Sequence, residues 1–178
     1  MNKILLVLLG ESGTGKTTIA NELNRKYGLS TLPSYTTRKK RKATDNDHTY
    51  ISLGEFMLLK NKVASNFYSG NYYCATEDQI EMFDVYVCDC EGIKDLKTNY
   101  TGEKKILVIG IDVDAKERMN RMMNRGDGVG SVAIRMKQDT EEFQYKEMLS
   151  DYRVKNNKLQ DAVDSIYKLY QEELQNDM

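Results

Sequence analysis

The sequence has few of the residues from which several common kinds of functional site are built. It contains one histidine, His48, and three cysteines among 178 residues. A single histidine argues against a histidine-rich metal site and against a Ser-His-Asp triad, and we expect His48 on the surface rather than among ligands. Cys74, Cys88 and Cys90 are odd in number and lack paired C-x-x-C spacing. That pattern predicts reduced thiols in a cytoplasmic protein.

Long apolar runs and a strong charge imbalance are also missing. The mean hydropathy is −0.63, and no apolar run reaches the length of a membrane span. The net charge is −1, so no global field favours nucleic acid or an anionic membrane. There is no internal repeat and no low-complexity linker, and the length fits one domain with an insertion. The sequence therefore predicts no membrane partner and no nucleic-acid partner.

A glycine-rich segment near the amino terminus carries the strongest signal. The segment 10–17 reads G-E-S-G-T-G-K-T, which fits the pattern G-x-x-x-x-G-K-[ST]. The segment 4–9 before it is apolar and has the length of a buried strand. After it, Ile19 and Leu23 lie four residues apart, as on one face of a helix. Strand, glycine loop and helix form the context that a phosphate-binding loop requires.

The residue types in this loop suit a nucleoside triphosphate. Its glycines let backbone amides form a concave nest for phosphate, and the following helix adds its positive end. Lys16 is expected to reach the terminal phosphates, and the Thr17 hydroxyl is expected to bind Mg²⁺. We therefore predict that one continuous segment binds ATP. Its residues are Glu11, Ser12, Gly13, Thr14, Gly15, Lys16, Thr17 and Thr18.

A cationic segment follows a short apolar stretch, 29–33, that we predict to be the second strand. Residues 34–42 read S-Y-T-T-R-K-K-R-K, in which hydroxyl-bearing residues lead into five consecutive cations. Such a run often forms a solvated face or a loose nucleic-acid contact. Arg38 and Arg41 are three residues apart, however, and forked guanidinium groups suit phosphate oxygens. An ATP site and a second phosphate site in one chain predict phosphoryl transfer between two nucleotides.

Together these motifs resemble the guanylate kinase family of nucleoside monophosphate kinases. That family pairs G-x-S-G-x-G-K-[ST] with S-x-T-T-R-x-x-R, and both patterns are intact here at 10–17 and 34–41. Further matches follow at 45–50, 70–75, 85–92, 121–126 and 151–157. The resemblance covers nearly every predicted element, from Lys3 to about Leu174.

The resemblance implies an α/β fold of the P-loop NTPase type. It implies a parallel five-stranded sheet with helices on both faces, a small mixed α+β insertion that binds the monophosphate, and a lid. The kinase core is expected at residues 1–34 and 84–178, and the insertion at 35–83. The glycine-broken segment at about 125–131 is expected to be the lid, which would close over ATP and exclude water.

The resemblance also implies roles for single residues. The implied catalytic residues are Lys16, Arg38, Arg121, Arg125 and Arg135, although the spacing from Arg125 to Arg135 is one residue shorter than usual. Asn156 is implied as a further ATP-site residue near the adenine. The implied monophosphate-binding residues are Ser34, Arg38, Arg41, Tyr50, Tyr73 and Asp89. The implied substrates are ATP with Mg²⁺ and GMP or dGMP, and the implied assembly is a monomer or a homodimer.

The positions that read the base depart from the family pattern. The family's guanine-reading carboxylate falls at Ala64, and the hydroxyl that reads the base carbonyl falls at Ala75. Each buried base group left without a partner costs about 1–3 kcal/mol. Asn66 or Thr76 are candidates to substitute after local rearrangement. Otherwise the acceptor is another nucleoside monophosphate or another phosphorylated small molecule.

Two hypotheses from other classes remain to be weighed. Some guanylate-kinase-like domains are non-catalytic protein-binding modules, but such a module has no use for Lys16, Thr17 and the lid arginines. A nucleic-acid binder acting through the cations at 38–42 is disfavoured by the net charge of −1 and by the lack of a broad basic surface.

Overall fold

Two separate β-sheets organise the chain. The structure is a computed structural model, and it describes residues 4–40, 43, 45–68 and 70–176. In these residues the strands are β1 (Ile4–Leu9), β2 (Tyr35–Thr36), β3 (Thr49–Tyr50), β4 (Lys62–Tyr68), β5 (Asn71–Thr76), β6 (Val85–Cys88), β7 (Lys105–Asp112) and β8 (Tyr152–Lys155). The α-helices are α1 (Lys16–Tyr27), α2 (Leu53–Leu58), α3 (Glu77–Met82), α4 (Cys90–Asn99), α5 (Ala115–Asn124), α6 (Val129–Glu142), α7 (Lys146–Leu149) and α8 (Leu159–Asn176). A 3₁₀ turn, Phe143–Tyr145, joins α6 to α7.

The core sheet is parallel and has the strand order β6-β1-β7-β8. It has four strands, so the predicted count of five was wrong. The predicted second strand, 29–33, supplies only an isolated bridge between Thr31 and Val85, next to which the Leu32 N–H donates to the Val85 carbonyl. Beyond Leu32 the backbone turns toward β3: the Pro33 carbonyl accepts from the Thr49 hydroxyl at 3.1 Å, and the Ser34 carbonyl accepts from the Thr49 amide at 2.9 Å.

The central strand β1 is buried along its whole length, and its side chains alternate between two apolar layers. Leu6 lies in a layer with Leu23 of α1 and Ile166 of α8. Val7 lies in the opposite layer with Ile93 of α4. The prediction of helices on both faces of a parallel sheet is therefore confirmed. The carboxyl end of β1 leads directly into the glycine loop.

The second sheet has the order β3-β2-β5-β4 and mixes parallel with antiparallel pairing. The pairing of β4 with β5 shifts register between Val63 and Asn66, and Ala64 within this bulge has a φ of 52°. A bulge turns side chains away from the regular alternation. Here it lies beside the cavity described below.

The helices α5 and α6 are joined by the short segment that we expect to act as a lid. Gly126 within it has a φ of 93°, in the left-handed region that glycine tolerates best. The Arg125 N–H still bonds the Arg121 carbonyl, so the end of α5 is regular. Among the described residues, none of the helices combines the length and apolar character needed to cross a bilayer.

Candidate active site

The loop between β1 and α1 has the backbone shape of a phosphate nest. Gly13 and Gly15 have φ values of 80° and 90°, which side chains with a Cβ rarely adopt. A Cβ at Gly13 would also lie 2.7 Å from the carbonyl oxygen of Arg118. Since α1 begins at Lys16, its unpaired amides and the positive end of its dipole adjoin this loop.

Lys16 lies against the loop that precedes it. Its ammonium group donates to the carbonyl of Gly10 and, at 3.2 Å, to the carbonyl of Glu11. Burial lowers the pKa of Lys16, and the carboxylates of Asp139 and Glu11 oppose that shift. These carboxylates favour the charged ammonium, the form that phosphate binding needs.

One cavity lies over the loop and is rich in arginine. It is lined by Ser12, Gly13, Gly15, Lys16, Thr17, Thr18, Arg121, Met122, Arg125 and Arg135. The structure thus brings most of the predicted ATP residues together with all three predicted lid arginines. The side chains of Glu11 and Thr14 turn elsewhere: Glu11 accepts from Lys146 at 2.8 Å, and the Thr14 hydroxyl donates to the Glu11 carbonyl at 2.8 Å.

Asn156, for which the resemblance implied a place near the adenine, is hydrogen-bonded to the backbone of the glycine loop. It is buried, and its side-chain amide donates to the Thr14 carbonyl at 2.8 Å. Its own carbonyl accepts from Arg121 at 2.9 Å. Asn156 therefore fixes both the glycine loop and the first of the lid arginines.

A second cavity is lined by residues of the glycine loop and of the second sheet, β3-β2-β5-β4, and we call it the acceptor cavity. Ser12, Lys16 and Thr17 line both cavities, so the two meet at the loop. The acceptor cavity is lined by Gly10, Ser12, Lys16, Thr17, Ser34, Arg38, Asp47, His48, Ala64, Tyr68, Tyr73, Tyr86, Val87, Cys88, Asp89, Asp139, Glu142 and Phe143. Four of the predicted monophosphate residues, Ser34, Arg38, Tyr73 and Asp89, are among them.

Of the other two predicted monophosphate residues, only Tyr50 lies among those that the structure describes, and it is not part of the cavity lining. Arg41 lies outside the described residues. Tyr50 accepts a hydrogen bond from Arg38 at 3.0 Å, and Arg38 also pairs with Asp45 at 3.2 Å. Both contacts hold the Arg38 guanidinium in place. Tyr50 therefore positions the Arg38 side chain and does not line the cavity in this structure.

His48 does line the acceptor cavity, so the expectation of a surface position was wrong. Its Nδ1 lies 2.9 Å from the Ser34 hydroxyl, with which it shares a hydrogen bond. Its ring packs edge-on against Tyr73, with centroids 5.7 Å apart. The side chain is half-buried because β3, which follows it directly, pairs with β2 beside Ser34.

The two positions that depart from the family's base-reading pattern lie in different surroundings. Ala64 lines the acceptor cavity, as does Val87, whereas Ala75 is fully buried in the core. The two candidate substitutes are engaged elsewhere. Asn66 donates to Asp89 at 2.6 Å, and the Thr76 hydroxyl accepts from the Gln79 amide in the first turn of α3.

Two acidic residues of α6 were missed by the sequence reasoning. Asp139 is buried and accepts from the Ser12 amide at 2.9 Å and from the Ser12 hydroxyl at 3.2 Å. It also pairs with the buried Arg118 at 3.3 Å. Burial and the nearby Asp89 raise the pKa of Glu142 to about 7. No local motif marks either residue, because only the packing of α6 brings them to the loop.

The parallel core sheet, the glycine loop between its central strand and α1, and the arginine-rich cavity over that loop define a P-loop α/β protein. Comparison with known proteins gives the family. The family model described as guanylate kinase matches residues 2–173. The chain therefore belongs to the guanylate kinase family, and the prediction of a nucleoside monophosphate kinase is confirmed.

Individual relatives agree with this assignment. A guanylate kinase of Clostridium tetani is 30% identical over 181 residues, covering 93% of this chain and 84% of the relative. A guanylate kinase of Gloeobacter violaceus is 27% identical over 183 residues, covering 96% and 88%. The crystal structure of guanylate kinase from Anaplasma phagocytophilum matches with a TM-score of 0.68 at 20% identity, covering 97% of this chain and 87% of that one. That last likeness supports the fold.

Proposed function

We propose that this protein transfers the terminal phosphoryl group of ATP to GMP or dGMP. The observation that carries the proposal is the shared wall of the two cavities. Lys16 and Thr17 border both spaces, and Ser34 and Arg38 line the acceptor cavity together with them. A triphosphate on the loop and a monophosphate at Arg38 would therefore adjoin each other. Membership of the guanylate kinase family supports the choice of acceptor.

The chemistry that these residues can perform is placement and charge stabilisation. A nucleoside monophosphate is already anionic at neutral pH, so the attack needs no strong general base. The protein must align an acceptor oxygen with the γ-phosphorus and stabilise the charge that spreads over the phosphoryl oxygens. We assign the triphosphate to Lys16 and the loop amides, and the acceptor phosphate to Arg38 with Tyr73. Arg121, Arg125 and Arg135 would stabilise the transferring group.

Magnesium fits this arrangement as a partner of the nucleotide. The Thr17 side chain is exposed at the start of α1 and borders both cavities. Among the described residues, no three acidic, histidine or cysteine side chains are grouped to hold a metal ion. Mg²⁺ commonly keeps several waters and takes its other oxygens from phosphate, so one hydroxyl is a sufficient protein contribution. Bound there, the ion would neutralise charge on the β- and γ-phosphate oxygens.

A second acceptor class is favoured by one observation. The acceptor cavity has the apolar Ala64 where the family's guanine-reading carboxylate is expected, and the side chains of Asn66 and Thr76 are engaged elsewhere. A guanine edge placed there would need other partners. The alternative is a kinase of the same fold with a different nucleoside monophosphate or another phosphorylated small molecule as acceptor.

We further infer a cytoplasmic enzyme. The three cysteines are free and buried, which supports an environment where thiols stay reduced. A monomer or a homodimer remains the predicted assembly.

An acceptor screen tests the proposed function. The purified protein is incubated with ATP, Mg²⁺ and GMP, dGMP, AMP, CMP, UMP or dTMP in turn, and ADP release is followed. Turnover with GMP or dGMP alone is the expected result. Turnover only with another acceptor would replace the first proposal by the second. ATP binding without turnover on any of these six would contradict the first proposal and would leave only a phosphorylated small molecule outside this set as acceptor.

A further inference from the structure

One side chain on the wall of the acceptor cavity has no role in the assignments above. His48 borders this cavity together with Ser34, Arg38 and Tyr73. The Tyr50 hydroxyl, for which a phosphate contact was expected, is instead bonded to the Arg38 guanidinium at 3.0 Å. Among the described residues, the segment just before β3 thus contributes its histidine to the cavity wall.

Within the part of the chain that the structure describes, the imidazole makes one hydrogen bond, through Nδ1, which leaves Nε2 for a ligand. Nδ1 shares a hydrogen bond with the Ser34 hydroxyl at 2.9 Å. The ring also packs at a steep angle against Tyr73 and against Tyr50, with centroids 5.7 and 6.1 Å apart. When the Ser34 hydroxyl donates to Nδ1, the neutral tautomer carries its proton on Nε2. The ring then keeps an N–H donor for a ligand of the cavity that the Arg38 guanidinium also lines.

We infer that His48 is a ligand of the acceptor's phosphate group, donating a hydrogen bond from Nε2 alongside Arg38. The inference rests on the proposed function, because it assigns a residue to the same acceptor site. Imidazole N–H groups suit phosphate oxygens, and a donor next to a guanidinium meets the same anion. His48 therefore contributes to acceptor binding and has no part in the ATP site.

The charges around His48 add a dependence on pH. Burial first, and then the Arg38 guanidinium, lower the imidazole pKa, against which the carboxylates of Asp47 and Asp45 act. The remaining neighbours, Tyr73, Tyr50 and Ser34, contribute hydroxyl groups and no carboxylate or ammonium group. The free protein therefore holds a neutral imidazole at pH 7. A phosphate dianion bound beside Arg38 offsets the guanidinium charge and favours the imidazolium, so acceptor binding takes up a proton at His48.

Two amide variants separate ligand binding from structural support. In His48→Asn the amide lies near the Nδ1 position, so it keeps the Ser34 contact and lacks the donor at Nε2. In His48→Gln the amide reaches the Nε2 position and loses the Ser34 contact. We expect His48→Asn to raise the acceptor KM about tenfold, the typical effect of losing a hydrogen bond to a charged group. We expect His48→Gln to raise it less than about threefold, because the donor is kept. The KM for ATP should stay unchanged in both.

The result that overturns the inference is the reverse order. A larger loss in His48→Gln than in His48→Asn would mean that the histidine only supports Ser34 and β3. Wild-type values in both variants would remove it from the site. Thermal unfolding of each variant checks that the fold is intact.

Proton uptake gives a readout that a structural role would not move. GMP binding is measured by calorimetry at pH 7.5 in two buffers of different ionisation enthalpy. Wild type should take up more protons per GMP than His48→Gln, since the amide does not titrate. Equal uptake would overturn the protonation step, even if His48→Asn failed to fold. If the wild type binds no nucleoside monophosphate, both the proposed function and this inference are contradicted. If the wild type is active and His48→Asn has a wild-type KM for the acceptor, only the inference is contradicted.

Discussion

At the scale of single residues, Lys16 occupies the position on which phosphate transfer depends most. Lys16 lines both cavities. Its ammonium donates to the backbone carbonyls of Gly10 and Glu11, and the carboxylates of Asp139 and Glu11 favour its charged form. Lys16→Ala should lower kcat/KM for phosphoryl transfer about a hundredfold or more, because a preorganised charge facing the γ-phosphate is lost. ADP release measures the effect, with Lys26→Ala at the far end of α1 as a matched control. Full activity in Lys16→Ala would contradict the assignment of the loop.

Glu142 is the residue whose protonation should be visible in the stability of the fold. Burial raises its pKa to about 7 from 4.5, so the folded state binds its proton more tightly than the unfolded state. Its contribution to stability is complete below pH 4.5 and is lost as the pH rises through about 7. Glu142→Gln should therefore raise the free energy of unfolding at pH 8, by roughly 1 kcal/mol once solvent screening is allowed for.

Urea unfolding of wild type and Glu142→Gln at several pH values checks this expectation. The difference between them should shrink as the pH falls toward 4.5. A difference that stays constant with pH would mean that Glu142 does not titrate in this range.

At the scale of secondary-structure elements, α6 is tied to the glycine loop through Asp139. This buried carboxylate holds the Ser12 amide and pairs with Arg118 of α5. Asp139→Ala would leave the guanidinium buried and unpaired, so it should cost about 3 kcal/mol of unfolding free energy. Glu172→Ala, which breaks the exposed pair with Lys168 on α8, should cost less than about 0.5 kcal/mol. Chemical denaturation compares the two variants, and equal costs would show that the Asp139 contact contributes little.

The elements themselves show where local patterns suffice. The apolar run of β1 and the spacing of Ile19 and Leu23 predicted a buried strand and a helix, and both form. The strand at 29–33 did not form beyond one bridge, because the chain after Leu32 bonds to Thr49 of β3 instead of to β6. The bulge at Ala64 had no local signal, since it arises from the register between β4 and β5.

At the scale of the whole molecule, the proposed function requires two anion sites that bind separately. GMP at one hundred times its Kd should raise the free energy of unfolding by about 2.7 kcal/mol in wild type. ATP with Mg²⁺ should do the same through the other site. In Lys16→Ala the stabilisation by ATP should fall sharply while most of that by GMP remains, because Arg38, Ser34 and His48 are intact. Thermal unfolding with each ligand measures this, and equal losses for both would mean that the cavities act as one site.

The sequence by itself determined the glycine loop, the central strand before it and the cationic segment after it. Each depends on residues that are neighbours along the chain, so their spacing alone carries the signal. Only the tertiary structure decided that His48 faces the acceptor cavity beside Ser34, and that Asp139 and Glu142 of α6 reach a loop more than a hundred residues earlier in the chain. Those positions follow from the pairing of β2 with β3 and from the packing of α6, which bring together side chains that no local pattern relates.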